Sequence, residues 1–270
     1  MNQVQQPVTL PFEPQVAVAV VREAALLALD LRGRYTPDIK PDNTLVTQAD
    51  REIEEFLRGR LAAISPGWSF LGEETGLEGD PDAPCWVIDP IDGTTNFVRG
   101  IPLWCVSVGV VYQGRTIFGC IAVPPQREIL WAWEGGGAWM QKGLDDTAAP
   151  KRLRAFDGPE LMQEDLIAGN TTAERGVDFR AVPCRLRNLG SLAYHLVGLA
   201  QGSLVAAISR QQKLYDIAAG ICICIEAGCV VRYLNDTEWN ALVVAPKEPM
   251  PLLVAPPQTM AILLDKLKLV

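Results

Sequence analysis

The segment 86–97, WVIDPIDGTTNF, holds the residues best equipped for chemistry. A hydrophobic run, Trp86-Val87-Ile88, leads straight into Asp89 and Asp92, and Gly93, Thr94 and Thr95 follow. An isolated buried carboxylate is driven neutral or destabilises the fold, so two held together as anions need a counter-charge. The first basic side chain downstream is Arg99. A divalent cation is the simplest solution, and hard oxygen donors favour Mg²⁺ or Mn²⁺. Successive strand side chains point to opposite faces, but a strand that ends at Pro90 and turns lets Asp89 and Asp92 converge. Gly93-Thr94-Thr95 then opens a short helical turn. Free N–H groups at a helix start bind anions, and glycine admits a phosphate close to the backbone. A threonine hydroxyl there can orient a water. These are the parts of a metal-assisted phosphoryl hydrolysis. The alternative is an ordinary Asp/Pro/Gly turn whose aspartates cap local backbone.

Two further acidic stretches bear on that choice. GEET places Glu73 and Glu74 after a short strand, where a solvated turn is the competing explanation. LYDIAAG places Asp216 at the front of an apolar helix, where an N-cap role accounts for it nearly as well. The single histidine, His195, lies in the apolar run SLAYHLVGLA and reads as a packed helix residue. One histidine excludes multi-histidine metal sites, and a Ser-His-Asp hydrolase would hang on it alone, without a nucleophile-elbow pattern. The seven cysteines form no C-x-x-C pair and mostly occupy apolar runs, as reduced core thiols do. The chemistry therefore runs on oxygen ligands.

The elements that position these groups follow from periodicity. Residues 15–34 read as a helix with Val16, Val20, Ala24, Leu27 and Leu31 at helical spacing and Gly33 at its end. A proline-bearing loop follows. A second helix runs from Thr47 to Ile64, with Thr47 as N-cap and Asp50 at the capping-box position. SFLG and CWVIDP are short strands; LWCVSVGVVYQG, RTIFGCIAVPP and EILWAWEGG make a meander; GGGAWMQKG is turn-rich. Residues 141–165 are polar and without period. DLIAGN, CRLRNLG, SLVAAIS, VVRYLN and LLVAPP read as strands, SLAYHLVGLAQG and LYDIAAGICICIEAGC as helices, and QTMAILLDKLKLV as a closing helix. The pattern predicts helices layered on sheets, in lobes 1–140 and 141–270.

The chain has 270 residues, 49% hydrophobic and 21% charged, with a net charge of −8, which suits a water-soluble fold. There is no Lys/Arg block to read nucleic acid and no apolar run long enough for a membrane span. The start, MNQVQQPVTLPFEP, lacks a basic segment followed by an apolar block and reads as a loose arm without a secretory signal. A cytoplasmic location is expected.

In order and spacing, GEE at 72–74, WVIDPIDGTTNF at 86–97 and LYDIAAGICICIEAGC at 214–229 resemble the motifs of the inositol monophosphatase family. VTQAD at 46–50 and NLGS at 188–191 also fit, and the resemblance spans about residues 16–265. It implies an α+β fold, a layered αβαβα sandwich shared with fructose-1,6-bisphosphatase, forming one compact catalytic unit. Its N-terminal lobe would carry most metal ligands, and the C-terminal lobe would complete the site. It implies two or three Mg²⁺ ions, with Mn²⁺ as a substitute, on Glu73, Asp89, the Ile91 carbonyl, Asp92 and Asp216. Thr94, with Asp50 behind it and Glu73 beside it, would position and deprotonate the attacking water. Asp92, Gly93, Thr94, Gly190, Ser191, Leu192, Ser209 and Asp216 would surround the substrate. It further implies lithium sensitivity and a homodimer. Two positions depart from the family pattern. Ser209 stands where a glutamate often meets an inositol hydroxyl, and Leu192 where a small residue is usual. Both departures fall on the leaving-group side, so the expected substrate is a small phosphomonoester, inositol monophosphate or a related sugar or polyol phosphate. Histidinol phosphate, a fructose bisphosphate, a 3′-phosphonucleotide and NADP are alternatives, as is a metal-binding relative without turnover. Arg210 and Lys213 would face a second anionic group, or stand as ordinary loop cations.

Overall fold

The computed structural model describes residues 9–39, 45–145, 147–235, 239–241 and 251–270. Residues 1–8 of the expected loose arm, and 40–44 of the proline-bearing loop, lie outside them. Helix α1 (Pro14–Leu31) has proline in its first turn, where the missing N–H costs nothing. Its buried face is built from Ala17, Val21, Ala24, Ala25 and Ala28, while Val16 of the expected stripe turns outward. The small residues let the helix lie close on the sheet beneath. A short ladder, β1 (Asp38–Ile39) with β2 (Leu45–Val46), precedes α2 (Gln48–Ile64). Helix α2 buries Ile53, Leu57 and Leu61 as the periodicity predicts, together with Asp50 and Glu54.

Strands β3 (Ser69–Gly72), β4 (Gly76–Glu78), β5 (Cys85–Asp92), β6 (Cys105–Tyr112), β7 (Arg115–Val123), β8 (Glu128–Trp133), β9 (Gly137–Lys142) and β10 (Lys151–Arg152) form an eight-stranded sheet in the order β10-β9-β8-β7-β6-β5-β3-β4. Only the β3–β5 pair is parallel. Helix α3 (Thr94–Arg99) follows β5 directly. The smaller sheet has the order β13-β11-β14-β16-β15, from β11 (Leu166–Gly169), β13 (Arg185–Arg187), β14 (Ala206–Ser209), β15 (Val230–Tyr233) and β16 (Leu252–Ala255). Interleaved are α4 (Thr171–Gly176), β12 (Val177–Asp178), α5 (Leu192–Ala200), α6 (Leu214–Glu226), α7 (Pro257–Lys266) and β17 (Lys268–Leu269).

Three apolar layers hold these pieces together. Helices α1 and α2 cover one face of the large sheet over Trp86, Val108, Val110 and Phe118. Helices α5 and α6 fill the space between the sheets. Helices α4 and α7 close the outer face of the small sheet. The result is the expected αβαβα sandwich. Helix α6 reaches the sheet because Gly109 and Gly119, paired across β6 and β7, have no side chains. A Cβ on Gly119 would stand 2.3 Å from the Ala219 carbonyl oxygen, and one on Gly109 2.9 Å from the Ala219 nitrogen. The Ala218-Ala219-Gly220 sequence after Asp216 is therefore a packing surface, and it sets how deep Asp216 lies.

Several elements differ from expectation. GGGAWMQKG contains a true strand, β9, because Ala138 and Met140 alternate into the core. The closing helix stops at Lys266, and β17 pairs with β12, Leu269 opposite Val177. Strand β8 is as expected, with Trp131 buried and Trp133 packed against the same core. Strand β5 does not end at Pro90; it runs to Asp92, and its pairing with β6 shifts register between Asp89 and Asp92. Residues three apart on a regular strand face opposite ways, and a bulge re-aims one of them. The irregularity does the work that a turn was expected to do.

Candidate active site

The acidic residues come from four separate elements. Asp89 and Asp92 stand at the end of β5, Glu73 follows β3, Asp216 opens α6, and Asp50 lies in the first turn of α2. The Glu73 N–H donates to the Ile88 carbonyl at 3.1 Å, which ties Glu73 to the parallel strand one residue before Asp89. Asp50, Asp89 and Asp92 are buried, and Glu73 and Asp216 half-buried.

Each aspartate is fixed by backbone donors. Asp89 Oδ1 accepts the Ile91 N–H at 3.1 Å. Asp216 Oδ2 accepts the Lys213 N–H at 3.0 Å; Lys213 is the N-cap of α6, so Asp216 stands at the third helical position and caps the end from inside the first turn rather than as the N-cap itself. Asp50 Oδ2 accepts both the N–H and the hydroxyl of Thr47, at 2.7 and 2.6 Å, while its buried Oδ1 has no hydrogen-bond partner among the described residues. Asp92 makes the longest reach in sequence. Its Oδ2 accepts the Ser191 hydroxyl at 2.8 Å and the Ala193 N–H, so it caps α5 from a hundred residues away. Charge at a helix N-terminus is favourable, and this explains part of how the chain tolerates it.

The remaining electrostatics are unfavourable in the bare protein. Burial pushes the Asp89 carboxyl well above the usual range, and the charges of Glu73, Asp92, Asp216 and Asp50 push it further. Burial, and then the Asp92 charge, raise Asp216 likewise. Asp92 rises to about 6 through burial, opposed by Ser191 and the α5 amides. Asp50 also rises to about 6, through burial opposed by Thr47. The five acids thus share one field, and that donor set of hard oxygens fits a hard divalent cation. Among the described residues, however, no three acidic, cysteine or histidine side chains stand close enough as placed to grip one ion.

Gly93 joins the two halves of the site. Its φ of 94° lies in the left-handed region. A Cβ there would come 3.0 Å from the Ser191 Cβ and 3.1 Å from the Leu103 carbonyl oxygen. The Gly93-Thr94 turn therefore lies directly against Gly190-Ser191. The Thr94 hydroxyl donates to the Ile91 carbonyl at 3.1 Å rather than to Asp50.

Some expected site residues are engaged elsewhere. The Leu192 side chain belongs to the core between the sheets, so its size is absorbed by packing; its backbone acts on Asp92. Ser209 is buried, and its hydroxyl accepts from the Asn170 amide at 2.8 Å. Arg210 packs against Gly176, where a Cβ would meet its Nη1 at 2.2 Å, while Lys213 is exposed. A cavity of about 520 Å³ lies between the end of α1, Thr47 and α3, and none of the five acids lines it.

Three buried polar side chains make hydrogen bonds around these turns that the sequence did not announce. Asn96 donates to the Leu103 and Leu189 carbonyls at 2.6 and 2.8 Å, which locks α3 to the loop before α5. His195 Nε2 accepts the Leu189 N–H at 3.0 Å from the other side. Glu54 accepts three hydrogen bonds from the turn after Glu73. No spacing rule points to Asn96 or His195; Glu54 carried one signal, an acid one turn after Asp50 on an apolar helix face.

Similarity to known proteins covers most of the chain. The model of the inositol monophosphatase family matches residues 14–260. An inositol-1-monophosphatase of Mesorhizobium japonicum is 34% identical over 223 residues, 78% of this chain and 81% of the relative. A histidinol-phosphatase of Mycobacterium tuberculosis is 35% identical, over 74% of this chain and 77% of the relative. The solved structure of an IMPase from Thermotoga maritima superimposes with a TM-score of 0.78 at 25% identity, covering 93% of this chain and 94% of that one. With the layered fold, the acids on four elements and a match over nearly its whole length, the chain belongs to the inositol monophosphatase family of phosphatases.

Proposed function

We propose that the chain hydrolyses a small phosphomonoester with the aid of Mg²⁺. The observation that carries this reading is the shared field of Glu73, Asp89, Asp92, Asp216 and Asp50, which a bare protein bears at a cost and a divalent cation relieves. Glu73, Asp89, the Ile91 carbonyl, Asp92 and Asp216 would hold two or three ions, with Mn²⁺ able to replace Mg²⁺. When bound, such ions neutralise phosphoryl oxygens and make water a better nucleophile near neutral pH.

The chain's own residues do the rest. The Gly93 and Thr94 amides hold phosphoryl oxygens. The Thr94 hydroxyl, with Asp50 behind it, orients a water for in-line attack on phosphorus, and Glu73 takes the one proton that the attacking water gives up. Gly190, Ser191, Leu192, Ser209 and Asp216 border the departing alcohol, with Leu192 contributing backbone. Inositol monophosphate or a related sugar or polyol phosphate is the leading substrate. The likeness to a histidinol-phosphatase keeps histidinol phosphate in the same panel. A homodimer in the cytoplasm is part of the same proposal and follows from the family resemblance.

The test is phosphate release across a panel of phosphorylated metabolites and an aryl phosphate, with Mg²⁺, Mn²⁺ or EDTA. Mg²⁺-dependent turnover of one polyol phosphate well above the others is expected. A rise in thermal stability with Mg²⁺ but no release from any phosphate would overturn catalysis and leave a metal-binding protein. Light scattering in solution decides the dimer.

A further inference from the structure

We propose that Glu54 is a positioning residue of this site, fixing the turn that presents Glu73; the inference rests on the reading of Glu73 as a metal ligand. Asp50 and Glu54 are four apart on α2 and so share one face of the helix. Both are 1% exposed. Asp50 adjoins the acids, whereas Glu54 grips the connection between β3 and β4. Glu54 Oε2 accepts the Glu74 N–H at 2.9 Å, and Oε1 accepts the Thr75 N–H at 3.1 Å and the Thr75 hydroxyl at 2.5 Å. Charge-assisted bonds of this kind are among the strong ones, and they make a buried carboxylate tolerable. With both oxygens occupied by donors, Glu54 is not itself a ligand.

A second, independent observation concerns Gly72. A Cβ at that position would stand 2.0 Å from Glu54 Oε1 and 2.4 Å from its Cδ. The glycine before Glu73 leaves the space that the Glu54 carboxylate fills. Because the Glu73 N–H is tied to the Ile88 carbonyl, next to Asp89, the clamp on residues 74 and 75 holds the other side of the same residue. Glu73 is thus located from both sides, once by β5 and once by α2.

The experiment compares wild type with Glu54→Gln, Gly72→Ala, the double variant and Thr75→Ala. Two quantities are read: amide hydrogen exchange at residues 74 and 75 in metal-free protein, and the Mg²⁺ concentration for half-maximal phosphate release. Glutamine must face turn donors with an N–H₂ group, so at least one donor loses its acceptor. Exchange at 74 and 75 is expected to quicken about tenfold, and the half-maximal Mg²⁺ to rise about tenfold or more, the usual effect of losing a residue that orients a ligand. Substrate KM at saturating Mg²⁺ should hold. Gly72→Ala should act the same way, and the double variant should be no worse than the worse single. Thr75→Ala removes one donor at an exposed residue and should give a smaller shift in the same direction; it decides the matter if Glu54→Gln does not fold. Faster exchange with an unmoved Mg²⁺ requirement would make Glu54 purely structural and overturn the proposal, as would unchanged exchange or fully additive variants. A wild type without Mg²⁺-dependent turnover would instead sink the ligand role of Glu73, and this proposal with it.

Discussion

His195, the chain's only histidine, offers a clean test of how the loop before α5 is held. Its ring is 1% exposed, and burial lowers it from 6.5 to about 4. Nε2 accepts the Leu189 N–H, so the neutral ring carries its proton on Nδ1, which has no partner among the described residues. Protonation would add a charge in the core and destroy the acceptor. The folded state therefore refuses a proton that the unfolded chain takes up below 6.5. Stability from this group is complete above 6.5 and is lost as pH falls towards 4. The whole interval is worth about 3 kcal/mol at about 1.4 kcal/mol per pH unit. Near the sequence pI of about 4.8 a protein associates, so pH 5.5 is the practical lower limit. Between pH 7.5 and 5.5 the loss attributable to His195 is about 1.3 kcal/mol, or about 3–5 °C in Tm for a chain of this size. His195→Gln keeps an acceptor where Nε2 stood but does not titrate. Urea unfolding of both proteins at the two pH values cancels the common carboxylate contributions. Wild type should lose about 1.3 kcal/mol more than the variant. Parallel losses, or a ring proton resonance of folded protein titrating near 6.5, would refute the buried-acceptor account.

Asp89→Asn should keep the fold and lower Mg²⁺-dependent kcat about a thousandfold, the loss of several kcal/mol of charge stabilisation; near-normal turnover in a phosphate-release assay would reject its ligand role. Thr94→Ala should retain the Mg²⁺-induced rise in Tm while kcat falls about a hundredfold, and unchanged kcat would reject water orientation by its hydroxyl. Gly93→Ala adds a left-handed penalty to a 3.0 Å approach to Ser191, and about 2–4 kcal/mol of lost stability in urea is expected. Gly119→Ala should cost about 2–3 kcal/mol, because the atom it meets is the Ala219 backbone oxygen and not a movable side chain; a wild-type Tm would show that α6 does not rest on that glycine.

The longer helices and strands, and the acids themselves, were legible in the sequence. Periods of 2 and 3.6 are local properties, and so α2, the meander and α6 declared themselves without reference to the rest of the chain. The same holds for WVIDPIDGTTNF and LYDIAAG, where charge inside an apolar run demands a reason wherever it occurs. Tertiary structure decided what those residues do to one another. That β5 continues to Asp92 through a register shift depends on its partner β6. That Asp92 caps α5, that His195 and Asn96 hold the loop before it, and that Glu54 holds the turn after Glu73 are hydrogen bonds between separate elements. So too with Ser209 and Leu192, whose side chains went to Asn170 and to the inter-sheet core. A buried polar group must find a partner, but sequence records only that it needs one; which donor lies within reach is fixed when the layers close.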